Sequence, residues 1–388
     1  MRFTHDATVD QPSSILAATI FGVVGSIVFL LLPILVGAFS ERLALDTGQV
    51  GWLGSADMMG MFAAAVVATS WIRLADWRRA GLVTALVLLI CHLLSGWITD
   101  FSVLLGIRVA AGFAGGSMMS IALTCLGDTR NPDRFFALFI SGQLGLGSIG
   151  LAVLPGFITR FGLGGAFLFL AGLVLLALAA VPFLPREGNF AAPAALSRVP
   201  LKRMVPGAAA LVGCFLFNFG IMMVWAYTER MGNASGLEPG FIGNVLAGSL
   251  LAALAGSLLA AAMGTRFGRV LPLLLTLAVQ MAALWLLSGD LTSKTYLAGV
   301  MLFSFAWNFP VAFQLAITVS VDVSGRLVVL FLSAVKLGYA VAPAMAAALI
   351  TGENHYRPVL LTAVLVYLVS ALIFAALAAR RPARPIEV

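Results

Sequence analysis

The sequence predicts an all-α membrane protein, with twelve transmembrane helices in two pseudo-symmetric halves of six. Three observations lead there. Of 388 residues, 61% are hydrophobic and 10% charged, against roughly 45–50% and 25% in soluble domains. The apolar runs fall into two sets of six on either side of one polar, Pro-rich, basic stretch. LFISGQLG at Leu138–Gly145 echoes LFLSAVKLG at Leu330–Gly338, half a chain away, as in a duplicated unit. Twelve spans of about 21 residues take up about 250 positions, which leaves no room for a soluble domain.

The first run, Ser13–Phe39, is longer than the apolar region of a signal peptide and follows Asp6 and Asp10 rather than a basic start, so it is expected to remain as the first helix. Gly48–Ile72, Ala80–Ile98, Phe101–Leu126, Phe135–Thr159 and Leu163–Leu184 complete the first set, each bounded by charge or by Gly/Pro turns. PREGNFAAPAALSRVPLKR then reads as a cytoplasmic linker. The expected division is 1–184, linker 185–203, and 204–388. The second set is Met204–Thr228, Phe241–Met263, Val270–Ser288, Tyr296–Val321, Leu327–Ile350 and Pro358–Ala379.

The basic excess, 23 Lys+Arg against 16 Asp+Glu, is topological and does not point to nucleic acid. With the amino terminus inside, sixteen of these cations fall in inner segments and five in outer loops (Arg42, Arg160, Arg230, Lys294 and Arg357). That asymmetry puts both termini in the cytoplasm. Arg outnumbers Lys twenty to three, a bias of GC-rich bacterial genomes, so a bacterial inner membrane is the expected location. Cys91, Cys125 and Cys214 lie inside apolar runs without CxxC spacing, which supports neither disulfides nor a metal site. No nucleophile motif, phosphate loop or His/Asp/Glu cluster occurs. A non-enzyme without cofactor or metal is expected, and a polytopic membrane enzyme is the remote alternative.

Only Asp57, Arg108 and Lys336 are charged inside the twelve spans. An ionised group at bilayer depth costs at least about 2.5–3.5 kcal/mol on insertion scales, so each is a functional candidate by default. The plainer reading is a fixed ion pair that locks helices together. At 1.5 Å per residue, Asp57 lies roughly 14 Å below the outer face and Lys336 roughly 14 Å above the inner one. Arg108, about seven residues into its helix, is an alternative partner for Asp57. A carboxylate whose neighbours change with conformation changes its proton affinity with them, as proton coupling requires. Two cations against one acid leave one positive charge for a ligand. That favours a small organic anion over a neutral or cationic substrate. Asn218, Trp225, Tyr227, Trp307, Asn308 and Gln314 on the seventh and tenth helices suit a pocket that orients a ligand by hydrogen bonds and packs it with rings, or else interhelical bonding with interfacial aromatics. His92 reads as structural.

At these residues the chain resembles the major facilitator superfamily over essentially its whole length. That family carries a G-x-x-x-D-R-x-G-R type motif between its second and third helices and a weaker copy between the eighth and ninth. The first copy here keeps Asp76, Arg78 and Arg79 with Ile72 for the leading Gly; the second keeps Arg266, Gly268 and Arg269 with Thr265 for the acid. Arg108 and Gly112 in RVAAG match the family's R-x-x-q-G pattern, with Ala111 for Gln. Asp322–Arg326 and LGYAVAP at Leu337–Pro343 are also similar. The Gly-Pro pair typical of drug exporters is missing from the fifth helix. The resemblance implies a monomer in lipid that moves a small molecule by alternating access. It implies a cavity lined by the first, fourth, seventh and tenth helices, and an Asp57–Lys336 pair across the halves. Asp76, which in the family caps the inner end of the eleventh helix, would gate with Arg78, Arg79, Arg266 and Arg269. Some members that move small carboxylates have a lysine in the eleventh helix. These readings give Asp57 and Arg108 to proton coupling, and Lys336 and Arg108 to the anion. Export of a hydrophobic or drug-like compound is the alternative.

Overall fold

Acidic and hydroxyl side chains start the helices where the sequence spends its few charges, because the first N–H groups of a helix lack partners within it. The computed structural model describes residues 9–43, 45–188, 201–264, 266–322, 327–350 and 355–379. Asp46 accepts from the Gln49 N–H in a capping box, Asp100 from that of Val103, and Glu238 from those of Gly240 and Phe241. Thr292 and Thr295 form a second capping box. These capping charges sit at helix ends, and the stretches between them are largely apolar.

The chain forms two compact units, Met1–Ala194 and Ala195–Val388. In the first, α1 (Pro12–Ser26) and α2 (Val28–Arg42) follow one another through Ile27, then α3 (Thr47–Trp71), α4 (Trp77–Ser95), α5 (Phe101–Gly127) and α6 (Pro132–Ala180). In the second come α7 (Leu201–Trp225), α8 (Thr228–Ala234), α9 (Pro239–Met263), α10 (Val270–Ser288), α11 (Ser293–Asn308), α12 (Val311–Ser320), α13 (Leu327–Leu349) and α14 (Arg357–Ala378). No strand occurs among the described residues. Among the described residues, eleven segments are long and apolar enough to cross a membrane. The longest, Pro132–Phe183, has 52 residues. At 1.5 Å per residue it is more than twice the roughly 30 Å of a hydrocarbon core, so it accounts for two crossings.

Three boundaries differ from the sequence reading. The expected loop between the fifth and sixth spans is a helix broken at Gly162, whose φ of 66° and ψ of −161° suit a residue without Cβ. The seventh span continues through α8 to Ala234, so Glu229 and Arg230 are helical. The tenth breaks between Asn308 and Val311, where Pro310 has no N–H to give the Ala306 carbonyl.

Each unit has its own core. Phe21, Trp77, Leu88, Met118, Phe139 and Val174 pack in the first; Cys214, Phe309, Phe313, Phe331 and Phe374 in the second. Leu82, Val83, Leu86 and Ile90 on α4 and Leu361, Leu365 and Leu372 on α14 are exposed, an arrangement that water would penalise and hydrocarbon accepts.

Candidate functional site

Asp57 on α3 and Arg108 on α5 form a buried bidentate pair, 3% and 0% exposed. Arg108 Nε donates to Asp57 Oδ2 at 2.9 Å, and its second terminal nitrogen donates to Oδ1. Glycine brings the helices this close. A Cβ on Gly112 would overlap the Asp57 carbonyl, and one on Gly60 would overlap that of Val109. Such small-residue contacts are how membrane helices approach at backbone distance.

The other terminal nitrogen of Arg108 lies 3.2 Å from both His92 Nδ1 and Ser95 Oγ on α4. A guanidinium can only donate, so Nδ1 accepts and His92 carries its proton on Nε2. Ser95 passes the chain on by donating to the Cys91 carbonyl at 2.7 Å. Phe167 on α6 covers the site, with Arg108 Cζ 5.0 Å from its ring centroid and the His92 ring stacked at 6.1 Å. All three guanidinium nitrogens are therefore engaged, and the charge is desolvated but paired. Nearby, Gln143 Nε2 donates to Ser26 Oγ at 2.6 Å.

Both Asp57 oxygens are thus held by Arg108, one of the two partners the sequence offered. Lys336 lies on α13, partly buried. A Cβ on Gly338, one half-turn further, would press on the backbone of α7 at Phe215, Asn218 and Phe219. Asn218 is 2% exposed and donates to the Cys214 carbonyl one turn back at 2.9 Å. Trp225 and Trp307 meet at 5.4 Å between ring centroids. Trp307 Nε1 donates to Tyr339 Oη at 3.0 Å, with the two rings edge to face. The structure therefore joins Trp225, Trp307 and Tyr339 in one aromatic cluster. Asn308 ends α11, and Gln314 faces a different part of the second unit, beside Gln280 and Tyr367.

The residues expected at the gate have local roles in the structure. Asp76 accepts from the Arg78 and Arg79 N–H groups and caps α4. The first N–H of α13, at Leu327, is accepted by Asp322 at 2.9 Å. Arg78 Nε donates to the Leu184 carbonyl at 2.8 Å. Arg79 lies 3.7 Å from Asp76. Arg266 is exposed in the α9–α10 turn, which Gly264 and Gly268 make with φ of 51° and 69°, and Arg269 precedes α10.

Ser95 and Asp128 were not singled out in the sequence, and His92 was read there as structural. His92 and Ser95 are uncharged and common in membrane helices; only the i, i+3 spacing on one face of α4 links them. Asp128 is 1% exposed and binds Arg73 through both oxygens, at 2.5 and 3.0 Å. Asp128 caps the end of α5.

No protein-family model matches the chain, and no curated protein matches its sequence. Solved structures do match. A nucleoside transporter, NupG, in a mutant form, superposes with a TM-score of 0.76 at 13% identity over 94% of this chain and 99% of that one. A bacterial homologue of the human drug peptide transporters PepT1 and PepT2 gives 0.68 at 11% identity over 94% and 95%. A bacterial homologue of the human lysosomal transporter Spinster, inward-facing and unoccupied, gives 0.66 at 13% over 94% and 95%. At such identities the likeness is one of fold alone: the chain shares the helical architecture of these solved transporters.

Proposed function

We propose that the protein is a secondary transporter that moves a small organic anion by alternating access, coupled to protons through Asp57 and Arg108. The observation that carries this reading is the buried pair itself. A carboxylate held by a guanidinium deep in a span, with a neutral histidine and a serine on the remaining nitrogen, is neutral overall. It can take up a proton only when the pair opens, and a proton that binds in one conformation and leaves in another is what coupling needs. The transporters with this fold support the class of activity.

The engagement of every Arg108 nitrogen favours coupling over substrate contact for that residue. The anion then falls to Lys336, with Asn218, Asn308 and the Trp225–Trp307 rings packing and orienting it. Gln314 is a weaker member of the set, since it lines a separate cavity. Asp76, Arg78, Arg79, Arg266 and Arg269 are proposed to shape the gate at the expected cytoplasmic end. The expected lipid environment is a bacterial inner membrane, with both termini cytoplasmic and a monomer as the working unit. Substrate leaves unchanged, so product analysis separates this reading from an enzymatic one.

A ligand that binds only the folded state stabilises it by RT ln(1 + [L]/Kd). The purified protein is therefore screened by thermal shift against organic acids, amines and neutral amphiphiles at two pH values. Stabilisation by carboxylates that disappears in Lys336→Gln supports the proposal. Stabilisation only by lipophilic cations or neutral amphiphiles moves the reading to export of a hydrophobic compound.

A further inference from the structure

The second unit contains a small cavity between α7, α10, α12 and α14, and four unsatisfied polar atoms face it. Gln280, Gln314 and Tyr367 line it together with Thr276, Ser370 and Pro310. They are 0%, 2% and 2% exposed. Gln280 Nε2 and Oε1, Gln314 Oε1 and Tyr367 Oη find no hydrogen-bond partner among the described residues. Thr276 and Ser370 have committed their hydroxyl hydrogens, to the carbonyls of Pro272 at 2.9 Å and Gly213 at 2.7 Å. Leaving such groups dry costs roughly 1–3 kcal/mol each, so their convergence on one space calls for a ligand.

We infer that this cavity is a binding site for a single ordered water molecule. Size and hydrogen-bond count both select it. The space open to the centre of a water molecule is about 20 Å³. One water needs roughly 10–15 Å³ on that measure, and organic ligands occupy pockets of roughly 300–1,000 Å³. Three donor hydrogens, two on Gln280 Nε2 and one on Tyr367 Oη, face two acceptors, Gln280 Oε1 and Gln314 Oε1. A water accepts two hydrogen bonds and donates two, so one molecule can bond each of these four atoms once. A bare cation would satisfy the carbonyl oxygens and leave the Gln280 amide hydrogens without an acceptor. The site adjoins the Asn308–Val311 break, where Pro310 interrupts the helical hydrogen bonding. Broken helices at membrane depth are tolerated where they line a polar cavity. The bound water therefore supports the joint in the tenth span.

The test is X-ray hydroxyl-radical labelling of the full-length protein in lipid nanodiscs, read by mass spectrometry. Radicals formed from a bound water modify the side chains that touch it, even buried ones. Tyr296 is the dry reference, since it is 0% exposed and its hydroxyl donates to the Thr228 carbonyl at 3.1 Å. Tyr367 is expected to label several-fold faster than Tyr296, and Gln280→Leu to bring it down to the Tyr296 rate. Equal rates in the wild type overturn the inference without need of any variant. A fast Tyr367 rate that survives Gln280→Leu also overturns it, because the radicals then come from elsewhere. Thermal stabilisation by sodium over choline chloride that vanishes in Gln280→Leu would replace the water with a cation.

Discussion

The two halves share a helical plan but spend their buried polarity differently. The first pairs its buried charges, Arg73 with Asp128 and, in a closed network, Asp57 with Arg108, His92 and Ser95 under the Phe167 ring. The second spreads it: Asn218 is bonded to its own helix, Gln280, Gln314 and Tyr367 are turned to a cavity, Lys336 lies on α13, and Glu229 is buried on α8, where it accepts from Asn233. A charged network stores free energy that a proton can release. Neutral amides and rings hold shape and offer hydrogen bonds. The proposed function places titration in the first half and binding in the second, and each prediction tests one side of that division.

The largest effect is expected at the pair. Asp57→Ala leaves a fully buried guanidinium without its counter-ion, and breaking such a pair from one side costs about 3–5 kcal/mol, measurable as loss of thermal stability in detergent. Asp57→Asn keeps one acceptor oxygen and folds better, and it is expected to abolish proton-driven accumulation while sparing substrate exchange. Unchanged uphill transport in that variant would remove Asp57 from coupling. Next comes Gly112→Ala, whose Cβ would overlap the Asp57 carbonyl. Moving α3 from α5 is expected to cost about 1–3 kcal/mol. Gly145→Ala, with open space around the added carbon, is the control and is expected to leave stability unchanged. Equal behaviour of the two would show that helix approach does not build the pair.

In the second half the effect moves from stability to affinity. Lys336→Gln is expected to weaken anion binding about tenfold, which corresponds to about 1.4 kcal/mol, with the melting temperature of the ligand-free protein close to wild type. Intact affinity with lowered stability would make Lys336 a helix lock and erase the division of labour.

Much of the fold was legible because charge is so scarce. Three charged residues inside otherwise apolar spans stand out at once, and positive loops mark the ends. The partner of Asp57 was not legible, since spacing along a helix gives depth but not direction. The direction is set by Gly60 and Gly112, which pin α3 on α5. The neutral members were the hardest to see. His92, Ser95 and Gln280 are ordinary residues in a span, and only three-dimensional packing shows that the first two face a guanidinium and the third a cavity. The break at Gly162 was read as a loop because Arg160 lies beside it; the helix runs on through Arg160 and Phe161 and turns only where a residue without Cβ permits it.

The smallest expected effect separates shape from hydrogen bonding in the aromatic cluster. Tyr339→Phe keeps the ring that meets Trp307 edge to face and removes only the hydroxyl that accepts its Nε1–H. Loss of one such bond costs roughly 0.5–1.5 kcal/mol, a small fall in melting temperature. If the rings serve mainly to pack a ligand, carboxylate affinity stays near wild type in Tyr339→Phe and falls in Trp307→Ala, which removes the surface itself. If affinity instead falls as far in Tyr339→Phe as in Trp307→Ala, the hydroxyl contacts the ligand, and the binding half depends on a polar group that belongs with Lys336 rather than with the rings.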